Sequence, residues 1–208
     1  MTARIVLMDS GVNENHPHIE DMGQIEVGPT VDSDGVLSRE DPQIDHMGHG
    51  TAAAAAILDL APGSTIYTIK VFHEVPDCPI EHILLALDVA IAQAPDIINL
   101  SLGTPRDTWR APFTRCLARC TEAGITLVSP ATFSGLPCYP GHLDGATGVI
   151  PDPNVPRERP EERLSGDRPF WHASPYPRDL PGLPRTANLS GASMATANVT
   201  GFLAARKG

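Results

Sequence analysis

Three residue types that together break acyl bonds stand at three places of similar local design. Asp9 ends an apolar run in "RIVLMDSG", His49 precedes Gly-Thr and an Ala-rich stretch in "HMGHGTAAAAAIL", and Ser193 lies among Gly and Ala in "LSGASMATANVTG". A serine hydroxyl is nearly inert at neutral pH. It becomes a nucleophile when an imidazole takes its proton and a carboxylate fixes the imidazole's tautomer and stabilises its charged form. An isolated serine in a Gly/Ala run is first of all a small residue at a close helix contact, so partners elsewhere decide. Asp9, His49 and Ser193 supply the three roles and are expected to meet within hydrogen-bond reach. "GASMA" is excluded as a nucleophile elbow: that arrangement places its acid and histidine after the serine, and none of the residues beyond Ser193 is His, Asp or Glu. His46 is the rival base, but no Gly-Thr helix start follows it; the other histidines are read as surface or loop residues.

Holding such side chains takes strand ends and helix starts, where a group is fixed rigidly yet faces a cleft. "RIVLMD" (4–9), "TIYTIKVF" (65–72), "DIINLSLG" (96–103) and "ITLVSPA" (125–131) are apolar, β-branched strand candidates. Between them, "IEHILLALDVAIAQA" puts Ile83, Leu84, Leu87, Ala90, Ile91 and Ala94 on one helical face, and "APFTRCLARCTEAG" repeats the pattern with Gly124 as a stop. Strand and helix alternate, which predicts a mostly parallel sheet flanked by helices, with ligands at the carboxyl ends of the strands. Asp9 and Ser101 to Gly103 fall at that edge. Residues 151–184 are rich in Pro and charge, show neither period, and are read as a long surface excursion of a single domain spanning 1–208.

Composition narrows the partners. The 208 residues carry a net charge of -10, with 41% hydrophobic and 19% charged side chains. A core of that size needs no staple, and the acidic balance without a basic patch disfavours nucleic acid and anionic membranes. No segment reaches the roughly 18 apolar residues of a membrane helix, and "MTARIVLMDSG" lacks the sections of a signal peptide, so a cytoplasmic location is expected. Cys78, Cys116, Cys120 and Cys138 have no CxxC spacing and are expected as free thiols. Cys116 and Cys120, one helical turn apart, could face a zinc ion; packing is the preferred explanation, and neither metal nor cofactor is expected.

"VLMDSGVNENHPHI", "HMGHGTAAAA", "DIINLSLG" and "SGASMATANVTG" resemble, in this order, the Asp, His, substrate-strand and Ser motifs of subtilisin-like serine proteases. The resemblance covers most of residues 4 to 205. It implies a three-layer α/β fold with a central, mostly parallel sheet, catalysis by Asp9, His49 and Ser193, and an edge strand at Ser101, Leu102 and Gly103 to which the substrate backbone adds. The family's oxyanion Asn is absent: register puts Thr132 in its place, with Ser134 as the substitute if the loop is rearranged. In subtilisin the loss of that donor costs about 10²–10³ in turnover. A Thr hydroxyl can donate but is shorter. The implied function is a serine endopeptidase that cleaves a restricted peptide or protein substrate through an acyl-enzyme, as in the processing of a precursor by a peptide-modifying pathway that supplies a partner protein. The alternative is an impaired subtilisin-like protein that binds a peptide or partner.

Overall fold

The computed structural model describes residues 2–40 and 43–207. In chain order the elements are β1 (Arg4–Asp9), β2 (Gln24–Val31), β3 (Leu37–Ser38), α1 (His49–Leu60), β4 (Thr65–Lys70), α2 (Ile80–Ala92) and β5 (Ile97–Leu100). There follow α3 (Arg110–Glu122), β6 (Thr126–Pro130), β7 (Thr132–Phe133), β8 (Leu136–Pro137), β9 (Ala146–Pro151), β10 (Glu161–Ser165), β11 (Arg168–Ala173) and α4 (Ala192–Ala204). Nine strands form one sheet in the order β10-β11-β9-β6-β5-β1-β4-β2-β3. Only its two outer pairs, β10–β11 and β2–β3, are antiparallel.

The continuous apolar run of β1 is explained by burial on both faces. Ile5 and Leu7 point into a core shared with α1 and α4, whereas Val6 and Met8 point into a second core shared with α2 and α3. The sheet is thus the middle layer of three, the mixed α/β architecture that the sequence predicts. Ala52 to Ala56, all buried, let α1 lie close against its neighbours.

β1 sits between β4 and β5, so the chain leaving β4 crosses over β1 to enter β5. Open α/β sheets bind ligands at the carboxyl ends of the strands near such a reversal of order.

The strand candidates at 65–72, 96–103 and 125–131 form β4, β5 and β6, each shorter than its apolar run. Two regions with no sequence period also join the sheet. β2 is interrupted by Gly28-Pro29, where the register with β4 shifts between Val27 and Thr30; the bulge accommodates a residue that cannot donate to the ladder. Within 151–184, β10 is exposed along its whole length and β11 carries Pro169, so neither alternates cleanly, yet β11 pairs in parallel with β9. The same segment reaches inward through Arg157, whose buried guanidinium meets Asp59 and donates to Asn198 Oδ1 at 3.3 Å. Among the described residues no helix is long and apolar enough to cross a membrane.

Candidate active site

β1 delivers Asp9, 1% exposed, to the carboxyl edge of the sheet. His49 is the first residue of α1, and its Nδ1 donates to Asp9 Oδ1 at 2.6 Å. With Nδ1 protonated by this contact, Nε2 of the neutral ring is left as an acceptor. Burial pulls the His49 pKa down, but the Asp9 charge, the hydrogen bond to it and the Asp45 charge together outweigh burial and hold it above the ordinary histidine value.

The helix start can press against the turn after Asp9 because residue 50 is glycine. A Cβ there would lie 2.0 Å from the Gly11 carbonyl oxygen and 3.2 Å from Asp9 Cβ. His46 is exposed and takes no part in this pairing.

Ser193 is half-buried in the first turn of α4, and its Oγ donates to the Ser101 carbonyl at 2.8 Å. Leu100 pairs with Met8, so the chain leaves β5 at Ser101 level with Asp9, about 4.8 Å away across one strand spacing. The serine hydroxyl is thus held at the end of β5, the strand next to the one that carries Asp9. Its hydrogen bond, however, goes to Ser101 and not to His49, which differs from the direct serine–histidine contact expected of the sequence.

Buried Asn99 fixes this geometry from beneath. Its Nδ2 donates to Ser101 Oγ at 2.8 Å and its Oδ1 accepts from Thr200 of α4 at 2.8 Å, tying β5 to the helix that carries Ser193. The first helical hydrogen bond of α4 runs from Ala195 N to Gly191 O, which leaves the preceding amides, that of Ser193 included, pointing out of the helix start.

Leu102 and Gly103 are half-buried and line an open cavity of about 930 Å³ together with Phe72, Trp109 and Phe133; Asp77, Glu81 and Arg106 add charge to it. Thr132 directly follows buried Ala131, is half-buried, and its hydroxyl makes no hydrogen bond among the described residues. Ser134 lies at the exposed tip of the β7–β8 hairpin, where φ is 50° at Ser134 and 79° at Gly135.

Two cysteines lie away from the cavity and two beside it: Cys78 is among its lining residues, and the Cys138 sulfur would stand 2.5 Å from a Cβ on Gly103. Cys116 and Cys120 pack in the second core with Phe113 and Leu117, and burial pushes Cys120 up to about 11, its neighbour Cys116 adding to the effect. Burial likewise pushes Cys78 and Cys138 to about 12. Such thiols are protonated at neutral pH. No group of three or more His, Cys, Asp or Glu arranged for a metal ion occurs among the described residues.

Sequence reading missed Ser10, Asp45, Asn99 and Thr200. A polar residue inside an apolar strand, Asn99 in "IINL", was the available signal for one of them. His18, read as a loop residue, is 9% exposed and its carbonyl accepts from Arg178 at 2.8 Å.

The family model described as "Subtilase family" matches residues 2–133, a range that includes Asp9, His49 and Ser101 and ends before Ser193. Subtilisin E of Bacillus subtilis is 26% identical over 141 residues, covering 64% of this chain and 34% of that protein. The major intracellular serine protease of Bacillus subtilis is 27% identical, covering 97% of this chain and 67% of that one. The chain spans about half or less of the first curated relatives it matches. Among solved structures, the prenylagaramide maturation protease PagA superimposes with a TM-score of 0.71 at 21% identity, over 98% of this chain and 74% of its own. A lanthipeptide protease does so with a TM-score of 0.67 at 20% identity, over 97% and 72%. A mostly parallel sheet between helix layers, an Asp–His pair at its carboxyl edge and a family match over more than half the chain carry one conclusion: this protein belongs to the subtilase family.

Proposed function

We propose that the chain is a serine endopeptidase that cleaves a restricted peptide substrate through an acyl-enzyme on Ser193. The observation that carries this is the 2.6 Å Asp9–His49 hydrogen bond at the end of β1, together with a serine at the start of α4 whose hydroxyl donates to Ser101 at the end of the neighbouring β5. Ser193 Oγ attacks the scissile carbonyl while His49 Nε2 takes its proton, and Asp9 stabilises the imidazolium so formed. His49 returns the proton to the leaving amine, and water, deprotonated by the same ring, releases the acyl group. The Ser193 amide and, in place of the usual Asn, the Thr132 hydroxyl face the developing oxyanion. Substrate backbone pairs along Ser101 to Gly103, and the adjoining cavity receives its side chains.

Two structural neighbours are named as a maturation protease and a lanthipeptide protease, which supports the processing of a precursor peptide as the role. A second reading, a binding module with impaired turnover, is favoured by the Ser193–Ser101 hydrogen bond and the missing amide side chain at position 132.

Incubation with a complex peptide library, followed by sequencing of new termini, tests the proposal. A small set of related cleavage sites, lost in Ser193→Ala, is the expected outcome. Absence of any new terminus that depends on Ser193 overturns it in favour of the binding module.

A further inference from the structure

α1 begins without a cap of its own. Gly48, at the position before its first residue, has φ 70° and no side chain, so the amides of the first turn must find acceptors elsewhere. Two side chains from outside the helix provide them. Ser10 Oγ accepts from Gly50 N at 2.9 Å, and Asp45 Oδ2 accepts from Thr51 N at 2.8 Å and from Thr51 Oγ1 at 2.7 Å.

The two acceptors are joined to each other. Ser10 Oγ donates to Asp45 Oδ1 at 2.8 Å, and the same oxygen accepts from Met47 N at 3.1 Å and Gly48 N at 2.9 Å. Asn13 closes the set, donating from Nδ2 to the Asp45 carbonyl at 3.1 Å and accepting from Asp45 N at 3.0 Å. Ser10 is covalently next to Asp9, and Gly50 is next to His49. The Ser10–Gly50 bond therefore joins the same two segments as the Asp9–His49 bond, one residue along each, and Asp45 is the hub that holds it.

Burial makes the arrangement costly to disturb. Asp45 is 5% exposed and both its oxygens are occupied by donors. A buried carboxylate with every partner in place is rigid, and loss of one partner exposes the full desolvation cost.

We propose that Asp45 is the positioning residue of this site, tying the turn after Asp9 to the first turn of the helix that starts with His49. The inference rests on the reading of Asp9, His49 and Ser193 as catalytic. A placement error near 1 Å costs about 10²-fold in rate, so a loosened helix start acts on turnover well before it unfolds the protein. The charged groups facing His49 are Asp9 from β1 and Asp45 from the preceding loop. Lys70 of β4, whose Nζ donates to Ile44 O at 2.6 Å, faces Asp45 and Glu74. Removing the Asp45 charge takes away one of the two anions that favour the His49 imidazolium.

The test compares the full chain with Asp45→Asn and Ser10→Ala, following the rate of Ser193 modification by a fluorophosphonate and the His49 ring titration by NMR. For Asp45→Asn the expected result is a labelling rate lower by about 10–10²-fold and a His49 midpoint moved to lower pH. For Ser10→Ala, which keeps the charge, the rate falls and the midpoint stays. A purely structural role would lower the melting temperature alone; wild-type labelling and an unmoved midpoint in Asp45→Asn overturn the proposal. If Asp45→Asn does not fold, a wild-type rate in Ser10→Ala overturns it. Should the unsubstituted chain fail to label, it is the hydrolytic reading that falls, and the NMR midpoint alone still decides for or against Asp45.

Discussion

Gly201→Ala tests how closely the helix carrying His49 is pressed against the helix carrying Ser193. Gly201 lies in the inner face of α4, where an added Cβ would stand 2.8 Å from Ile57 O and 2.9 Å from Leu60 Cβ, both in α1. The first contact is about 0.6 Å short of the 3.4 Å at which ordinary contact begins. Two effects compete. Alanine is favoured over glycine inside a helix by about 1 kcal/mol. Overpacking a filled contact costs about 1–3 kcal/mol. The obstructing atoms are a backbone oxygen and a Cβ, neither of which can swing aside, so a whole helix must shift and the overpacking cost prevails. The net loss is on the order of 1 kcal/mol, which lowers the melting temperature of a protein of this size by about 2–4 °C. His49 lies about 12 Å along α1 from Ile57, at an end held by Ser10 and Asp45, so labelling of Ser193 falls by less than about 10-fold. Differential scanning calorimetry and fluorophosphonate kinetics on the purified chain read both quantities. A melting temperature equal to or above that of the parent would refute the close helix contact.

Thr132→Asn supplies a longer amide donor and is expected to raise kcat, by up to about 10²-fold, with little change in KM, because the donor acts only when the oxyanion forms. Thr132→Val should lower kcat; steady-state kinetics unchanged in both would place the donor elsewhere. Because His49 must be neutral to accept the serine proton and its pKa is held above the ordinary 6.5, labelling should fall as pH drops through a midpoint above 6.5; a midpoint below 6.5 contradicts the influence of Asp9 and Asp45. Iodoacetamide at pH 8 should leave Cys120 and Cys138 unmodified in the folded chain, since burial pushes them to about 11 and about 12, and modify all four cysteines after denaturation without reductant. Two modified cysteines would reveal a disulfide.

The parts of this fold that were legible in the sequence are those buried on both sides. β1, β4, β5 and β6 read as strands because each is a short apolar run, and α2 because its buried positions recur at the helical period. β2 was not legible because Gly28-Pro29 interrupts it, and β10 because no face of it is buried. The site divides in the same way. Asp9, His49 and Ser193 announce themselves by type and by small neighbours, whereas Asp45 works through backbone amides, and "QIDHMGHG" looks like an ordinary polar loop until the turn is closed. The rotamer that puts the Ser193 hydroxyl on Ser101 is a property of packing, and no local pattern encodes it.

The most direct measurement is the intact mass of the protein after exposure to a fluorophosphonate, with the site located by peptide mapping, in the native chain and in His49→Ala. A Ser193 that reacts as a nucleophile only with His49 present gives one adduct per chain, on Ser193, and a loss of at least about 10³-fold in labelling rate in the variant. An unmodified Ser193 at neutral pH, or one labelled equally fast without His49, would contradict it.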